Sequence, residues 1–256
     1  MYPLIISFGE LKVYSYPLFI GFAWGFAFQI AQYLITKLDI KFERFKFFTI
    51  CLFIISWVGA KVFFLIFSST EHMQLHLVSS NFWLGGGFVF YGGLLFGMLF
   101  IIFYSLFVDK TLKGEKLIIL LPALTFGHAI GRIGCLLAGC CYGKETSSAL
   151  SIHLHDAFRY PVQLYEAFLL VVLGAVITKL IFKKIKHDLI ISLYFIYYSV
   201  MRFILEFFRG DLVRGMFFDL LSTSQIVSVF IFVLAIIYLI SKVNKEGSYE
   251  DIYKNG

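Results

Sequence analysis

The sequence predicts an all-α, polytopic membrane protein of seven transmembrane helices, with the N-terminus outside (periplasmic) and the C-terminus in the cytoplasm. Three observations predict it. The 256-residue chain is 60% hydrophobic with a mean hydropathy of +0.86, whereas soluble domains are roughly 45–50% apolar. Only 15% of its residues are charged, against about 25% in an ordinary domain. The basic residues alternate from one connection to the next. No room is left for a sizeable soluble domain, so residues 1–256 read as a single integral membrane domain.

A hydrocarbon core of ~30 Å needs about 20 apolar residues as helix. Seven runs meet that need: 17–36, 47–68, 86–108, 117–138, 162–182, 189–208 and 220–240. The stretch MYPLIISFGELKVYSYPLF before and into the first run has no basic n-region followed by a small-residue cleavage site. The first run is therefore expected to be retained as a span. The second carries Lys61 in SWVGAKVFFLIF. The third opens on Gly85, Gly86 and Gly87 and contains Gly92 and Gly93. The fourth ends in GRIGCLLAGCCYG (131–143). The fifth starts at YPVQLYEA, with Pro161 near the first turn, where proline is tolerated. The sixth holds Arg202 and Glu206 in YYSVMRFILEFFRG.

Placing the 22 Lys and Arg fixes the orientation. Connections 37–46, 109–116 and 179–188 and the tail after 240 carry 14 of them. The opposite side has five: Lys12, Lys144, Arg159, Arg209 and Arg214. The basic side is cytoplasmic. This bias accounts for the basic pI near 9.0, so no nucleic-acid partner is expected. No internal repeat stands out, which speaks against an inverted-repeat transporter.

The remaining three cations, Lys61, Arg132 and Arg202, fall inside apolar runs. Each costs roughly 2.5–3.5 kcal/mol at a helix centre, so each needs a reason. Arg202, Glu206 and Arg209 share one helical face, and the 202–206 spacing lets that pair bond directly. A structural ion pair is the plain alternative. Arg132 has no acid within a turn and calls for a partner from another helix or a ligand. For Lys61 the plain reading, snorkelling or pairing, stands at least level with a functional one. Gln163 and Glu166 lie one turn apart at the start of the fifth run, where capping and interface anchoring compete with a ligand role. The glycines of GGGFVFYGG serve close helix packing or line a ligand. By topology these groups gather at the outer membrane boundary. An arginine fork matches a phosphate, and the simplest ligand there is an anionic lipid head group. A channel fits poorly, because the charges cluster at one face instead of forming a path across.

The motifs GRIGCLLAGCCYG preceded by ALTFGHAI, YPVQLYE, YYSVMRFILEFFRG, GGFVFYGG, VYSYPLFIGF and GAKVFF occur in one order along the whole chain. In this they resemble the phosphatidylglycerol–prolipoprotein diacylglyceryl transferases. The resemblance implies an enzyme of the bacterial inner membrane. It implies two substrates, phosphatidylglycerol and the lipobox cysteine of a prolipoprotein signal peptide, and no cofactor. By motif position, Arg132 and Arg202 would hold the phosphate or offset leaving-group charge, and Glu206 would orient Arg202. Tyr14, Gly131, Cys135, Gly143, Gln163, Glu166, Tyr198 and Arg209 would line the substrates. The sequence departs from the pattern at four places. Cys135 replaces an asparagine, Cys140 a glutamate, and Tyr91 and Tyr160 two histidines. Tyr91 stands where a proton acceptor is expected, yet an unperturbed phenol titrates near 10, which makes it a poor base at neutral pH. These departures motivate an alternative: a relative with another acceptor, or a lipid-, thiol- or metal-binding membrane protein.

Four readings of Cys135, Cys140 and Cys141 stay open. They are small buried hydrophobes, a disulfide on an oxidising face, metal ligands together with His128, His153 or His155, or a thiol carrying a covalent lipid. The spacing C-x4-C-C is not a standard zinc pattern, and no metal ligand is assigned.

Overall fold

The computed structural model describes residues 4–8, 11–67, 90–211, 216–217 and 221–254. Among them the chain is mostly helical. In order, a hairpin of β1 (Leu4–Phe8) and β2 (Leu11–Tyr14) leads into α1 (Ser15–Lys37). Next come α2 (Phe45–Phe67) and α3 (Phe90–Phe103), the latter running on into a π turn at Tyr104–Val108. A short α4 (Glu115–Ile118) precedes α5 (Leu120–Ala138). A second hairpin, β3 (Ile152–Leu154) and β4 (Ala157–Arg159), precedes α6 (Val162–Phe182) and α7 (His187–Glu206). The last hairpin, β5 (Met216–Phe217) and β6 (Leu221–Ser222), leads into α8 (Thr223–Lys254).

Six helices among the described residues are long and apolar enough to cross a membrane: Ser15–Lys37, Phe45–Ile66, Lys116–Ala138, Val162–Phe182, His187–Glu206 and Thr223–Val243. The third predicted run falls on α3, whose apolar helical stretch Gly92–Val108 is shorter. Gly85, Gly86 and Gly87 lie outside the described residues. Large apolar side chains such as Phe22, Ile50, Leu99, Phe168 and Phe230 are each more than half exposed, while Ser15, Lys61, Gln163, Glu166 and Arg202 are buried. Polar groups inside and apolar groups outside is the order that lipid imposes. Among the described residues, three short hairpins accompany the mostly helical architecture the sequence predicts. The middle one turns on His155 and Asp156, both with positive φ (51° and 59°). That is the geometry of a type I′ turn, which Asn-Gly normally announces. His-Asp carries no such signal.

The chain divides into two compact units, Met1–Gly139 and Cys140–Gly256. In the first, α1 packs antiparallel on α5. Gly127 faces Ala23 and Ala27, and a Cβ on Gly134 would lie 2.7 Å from that of Phe19. The pair α2 and α3 meets more closely still, at Gly59 and Gly92, where a Cβ on Gly59 would lie 2.6 Å from the Gly92 carbonyl oxygen. Without a hydrophobic drive between helices in lipid, such small residues permit the backbone approach that dispersion needs. At the other end of this pair Phe48, Phe100 and Tyr104 interlock, with the Phe48 and Tyr104 rings 5.0 Å apart. In the second unit α7 packs against α6 and α8. Tyr197 Oη donates to Leu169 O across α6 and α7 (3.3 Å). Asp188 takes the Tyr238 hydroxyl and the Lys242 ammonium (3.1 Å) of α8.

Candidate active site

In the second unit, three segments far apart in sequence are bound into one array. Residues 142–146 run extended after the α5 signature. One edge pairs with the end of α7: Lys144 N donates to Phe208 O (2.8 Å) and Gly210 N to Tyr142 O (3.0 Å), with Gly143 bridged to Arg209. The other edge pairs with β4, where Thr146 N donates to Phe158 O (2.8 Å) and Tyr160 N to Lys144 O (3.1 Å). Gly143 lies at the crossing. A Cβ there would meet the carbonyl oxygen of Tyr160 and sit 2.7 Å from its Cβ. Only glycine lets these three backbones close on one another.

The array sets α6 against α7. Gln163 is buried, and its Nε2 donates to the Cys140 carbonyl (2.7 Å), which holds the end of the signature onto the first turn of α6. Its Oε1 is buried with no hydrogen-bond partner among the described residues. One turn on, Glu166 accepts from Arg202 Nη1 (3.4 Å) on α7, and Glu206 accepts from Arg202 Nη2 (2.9 Å). All three side chains are at least nine-tenths buried. A buried ion pair stands only when geometry and hydrogen bonds are good. Here the guanidinium fork supplies both, with one nitrogen for each carboxylate. With both acids ionised the trio carries net charge −1, so Arg202 reaches an incoming anion only as part of a cluster that already answers its charge.

At the end of α7 Arg209 forks onto Asp211 (2.9 and 2.6 Å). Burial disfavours its cation, but Asp211 and the adjacent Cys141 favour it more, so its pKa lies above the ordinary arginine value. Tyr198, one turn before Arg202, is half-buried and stacks parallel on Tyr194 at 6.0 Å. Arg159 of β4 lies over the Tyr142 ring (5.0 Å) and binds Glu145 (2.8 Å).

The expected residues therefore divide by unit. Gly143, Gln163, Glu166, Tyr198, Arg202, Glu206 and Arg209 lie in the second unit. The trio Glu166, Arg202 and Glu206 is directly joined, and Gly143 and Arg209 are directly bridged. Gly131, Arg132 and Cys135 lie on the last two turns of α5 in the first unit, with Arg132 half-buried and Cys135 buried. The start of α1 packs there, Ile20 against Gly131 and Tyr16 and Phe19 against Gly134, and Tyr14 occupies the N-cap of α1. Tyr91 is in the first turn of α3, but its side chain lies outside the described structure. Sequence reasoning missed Asp211, Gly210 and the Arg159–Tyr142–Glu145 contacts. Asp211 had a signal, an acid two residues after an arginine. The others depend on the pairing of 142–146, which no local pattern announces.

A profile of the prolipoprotein diacylglyceryl transferase family matches residues 3–241. The chain belongs to this family. A Clostridium perfringens phosphatidylglycerol–prolipoprotein diacylglyceryl transferase 2 is 36% identical over 247 residues, covering 92% of each chain. Rickettsia bellii has a phosphatidylglycerol–prolipoprotein diacylglyceryl transferase 30% identical over 253 residues, 94% of each chain. One from Streptococcus pyogenes is 27% identical over 257 residues, 96% of each chain. The Arg202 trio lies within the span matched by the prolipoprotein diacylglyceryl transferase family.

Proposed function

We propose that this chain transfers the diacylglyceryl group of phosphatidylglycerol to the lipobox cysteine of prolipoproteins, the first step of bacterial lipoprotein maturation. The observation that carries the reading is the buried Arg202 held between Glu166 and Glu206 in a chain that belongs to this family. The lipobox thiolate attacks the glycerol carbon that bears the phosphate. A carbon–sulfur bond forms, the carbon–oxygen bond breaks, and glycerol phosphate leaves with the electron pair.

Three demands follow. The departing phosphate needs positively polarised donors; Arg132 supplies a cation, and Arg202 contributes as part of its carboxylate-held cluster once an incoming phosphate competes for its N–H groups. Glu206 and Glu166 orient Arg202 so that its fork is set before substrate arrives. The attacking sulfur must be a thiolate, and Tyr91 stands at the position assigned to its proton. Tyr14, Gly131, Cys135, Gly143, Gln163, Tyr198 and Arg209 line the lipid and the signal peptide. The protein acts as one integral membrane domain of seven spans in the inner membrane, α3 being the seventh, with the N-terminus periplasmic. The charge bias of the connections supports that orientation.

The test is to incubate purified protein with phosphatidylglycerol and a synthetic lipobox peptide and to look for the diacylglyceryl adduct by mass spectrometry. An adduct is expected, absent from the Cys→Ser peptide. Arg132→Ala and Arg202→Ala each abolish it while the protein still inserts. A folded protein that binds phosphatidylglycerol yet yields no adduct would overturn the reading.

A further inference from the structure

The mechanism leaves two adjacent thiols unused. Cys140 is exposed, Cys141 is half-buried, and neither is in a disulfide. Their sulfur atoms lie within 4.8 Å of each other. Two thiolates on one tetrahedral Zn²⁺ stand about 3.8 Å apart, from metal–sulfur bonds of about 2.3 Å. A modest side-chain rotation closes the difference.

The backbone that carries the pair is held on both sides. The Cys140 carbonyl accepts from Gln163 Nε2 at 2.7 Å, and the residue after Cys141, Tyr142, accepts from Gly210 N at 3.0 Å. Cys141 itself has a φ of 62°, a left-handed conformation uncommon for residues other than glycine. This left-handed residue lies between the two hydrogen-bonded carbonyls, and the sulfurs of two consecutive residues come within 4.8 Å of each other. In an extended segment neighbouring side chains diverge to opposite faces. The Arg209 guanidinium lies beside Cys141.

We propose that Cys140 and Cys141 form a dithiolate site for a thiophilic divalent cation of the Zn²⁺ or Cd²⁺ class. Binding forms two metal–sulfur bonds and releases two protons to solvent, so the dithiolate–metal unit is neutral. The exposed side of Cys140 leaves the remaining coordination positions to water or an exchangeable ligand. This inference stands apart from the transfer reaction. A chain that failed to lipidate a peptide would bind the cation equally well.

The experiment uses the full chain in detergent, stripped of metal and reduced with a phosphine, which does not compete for the cation as a dithiol would. Cd²⁺ is titrated in and the thiolate-to-metal charge-transfer absorption is recorded. One Cd²⁺ per chain is expected, displaceable by Zn²⁺. Cys140→Ser and Cys141→Ser each weaken binding by about tenfold or more, roughly the 1.4 kcal/mol that a factor of ten represents. Cys51→Ser, whose thiol lies in α2, leaves the curve unchanged. A second reading needs no variant: maleimide labelling of the native chain followed by peptide mapping. Cd²⁺ should shield both Cys140 and Cys141. Equal labelling with and without Cd²⁺, or a double Cys140→Ser, Cys141→Ser variant that titrates like the native chain, would overturn the proposal.

Discussion

Gly210 rests directly on the backbone of Gly143: a Cβ added to Gly210 would lie 2.6 Å from the Gly143 carbonyl oxygen and 2.9 Å from the Lys144 nitrogen. Neither neighbour is a flexible side chain that could move aside. Gly210→Ala must therefore push the 142–146 segment off the end of α7, at about 1–3 kcal/mol for an overpacked contact. The expected result is an inserted protein whose transfer activity falls about tenfold or more. Assay of the reconstituted variant beside the native chain checks this, and full activity would show that the two segments need not touch.

Arg202 is shared by two carboxylates from different helices. Arg202→Ala leaves both acids buried without the cation they share, a loss of roughly 3–5 kcal/mol. Its melting temperature in detergent should drop accordingly. Adding Glu206→Gln to that variant removes one of the two negative charges and should restore part of the drop without restoring transfer. Equal melting of the single and double variants would mean that the acids find other compensation.

Arg202→Lys separates charge from geometry. A lysine keeps the positive charge but cannot hold both carboxylates through a planar fork. The protein should stay folded, and transfer should fall by about a hundredfold, mainly in kcat, because the loss is in positioning at the reacting centre. A change confined to KM would reassign Arg202 to ground-state binding.

The His155–Asp156 turn places two consecutive residues in left-handed backbone. Each such residue costs roughly 1–2 kcal/mol unless it is glycine, asparagine or aspartate. Replacing the pair with Asn-Gly should raise the melting temperature while leaving the strands, and the pairing of 142–146 with β4, in place. A lower melting temperature would show that the His155 or Asp156 side chain contributes contacts worth more than the strain.

Gly59 and Gly92 bring α2 and α3 together with no room for a side chain. Gly92→Val should abolish the crossing, and with it recovery of monodisperse protein, whereas Gly21→Val on α1, where nothing lies within 4 Å, should be neutral. Size-exclusion profiles of the two variants distinguish these outcomes.

The spans were legible because lipid demands long apolar runs, and six of the seven runs correspond to helices of spanning length. The Arg202–Glu206 pair was legible from its four-residue spacing. Glu166 as the second partner of Arg202 was not, since its 36-residue separation carries no local signal. Cys140 read as one of several thiols of open role, and its carbonyl contact to Gln163 involves the backbone, about which side-chain identity says nothing. The β3–β4 hairpin escaped notice because its His155–Asp156 turn lacks the usual Asn-Gly or Asp-Gly chemistry.

The π turn at Tyr104–Val108 closes with Asp109 N on Tyr104 O, five residues back (2.8 Å). A helix wound this way holds one residue more than its ladder requires. Deleting a single residue from 105–108 would let the last turn rewind as ordinary α-helix, without breaking the Phe48–Tyr104 packing below it. Four α-helical steps of about 100° bring Asp109 back to nearly the angle it holds after the five-residue π turn, so its ion pair with Lys116 (3.3 Å) is kept. This helix end is thus a place where the chain's length can change by one while the bundle keeps its register.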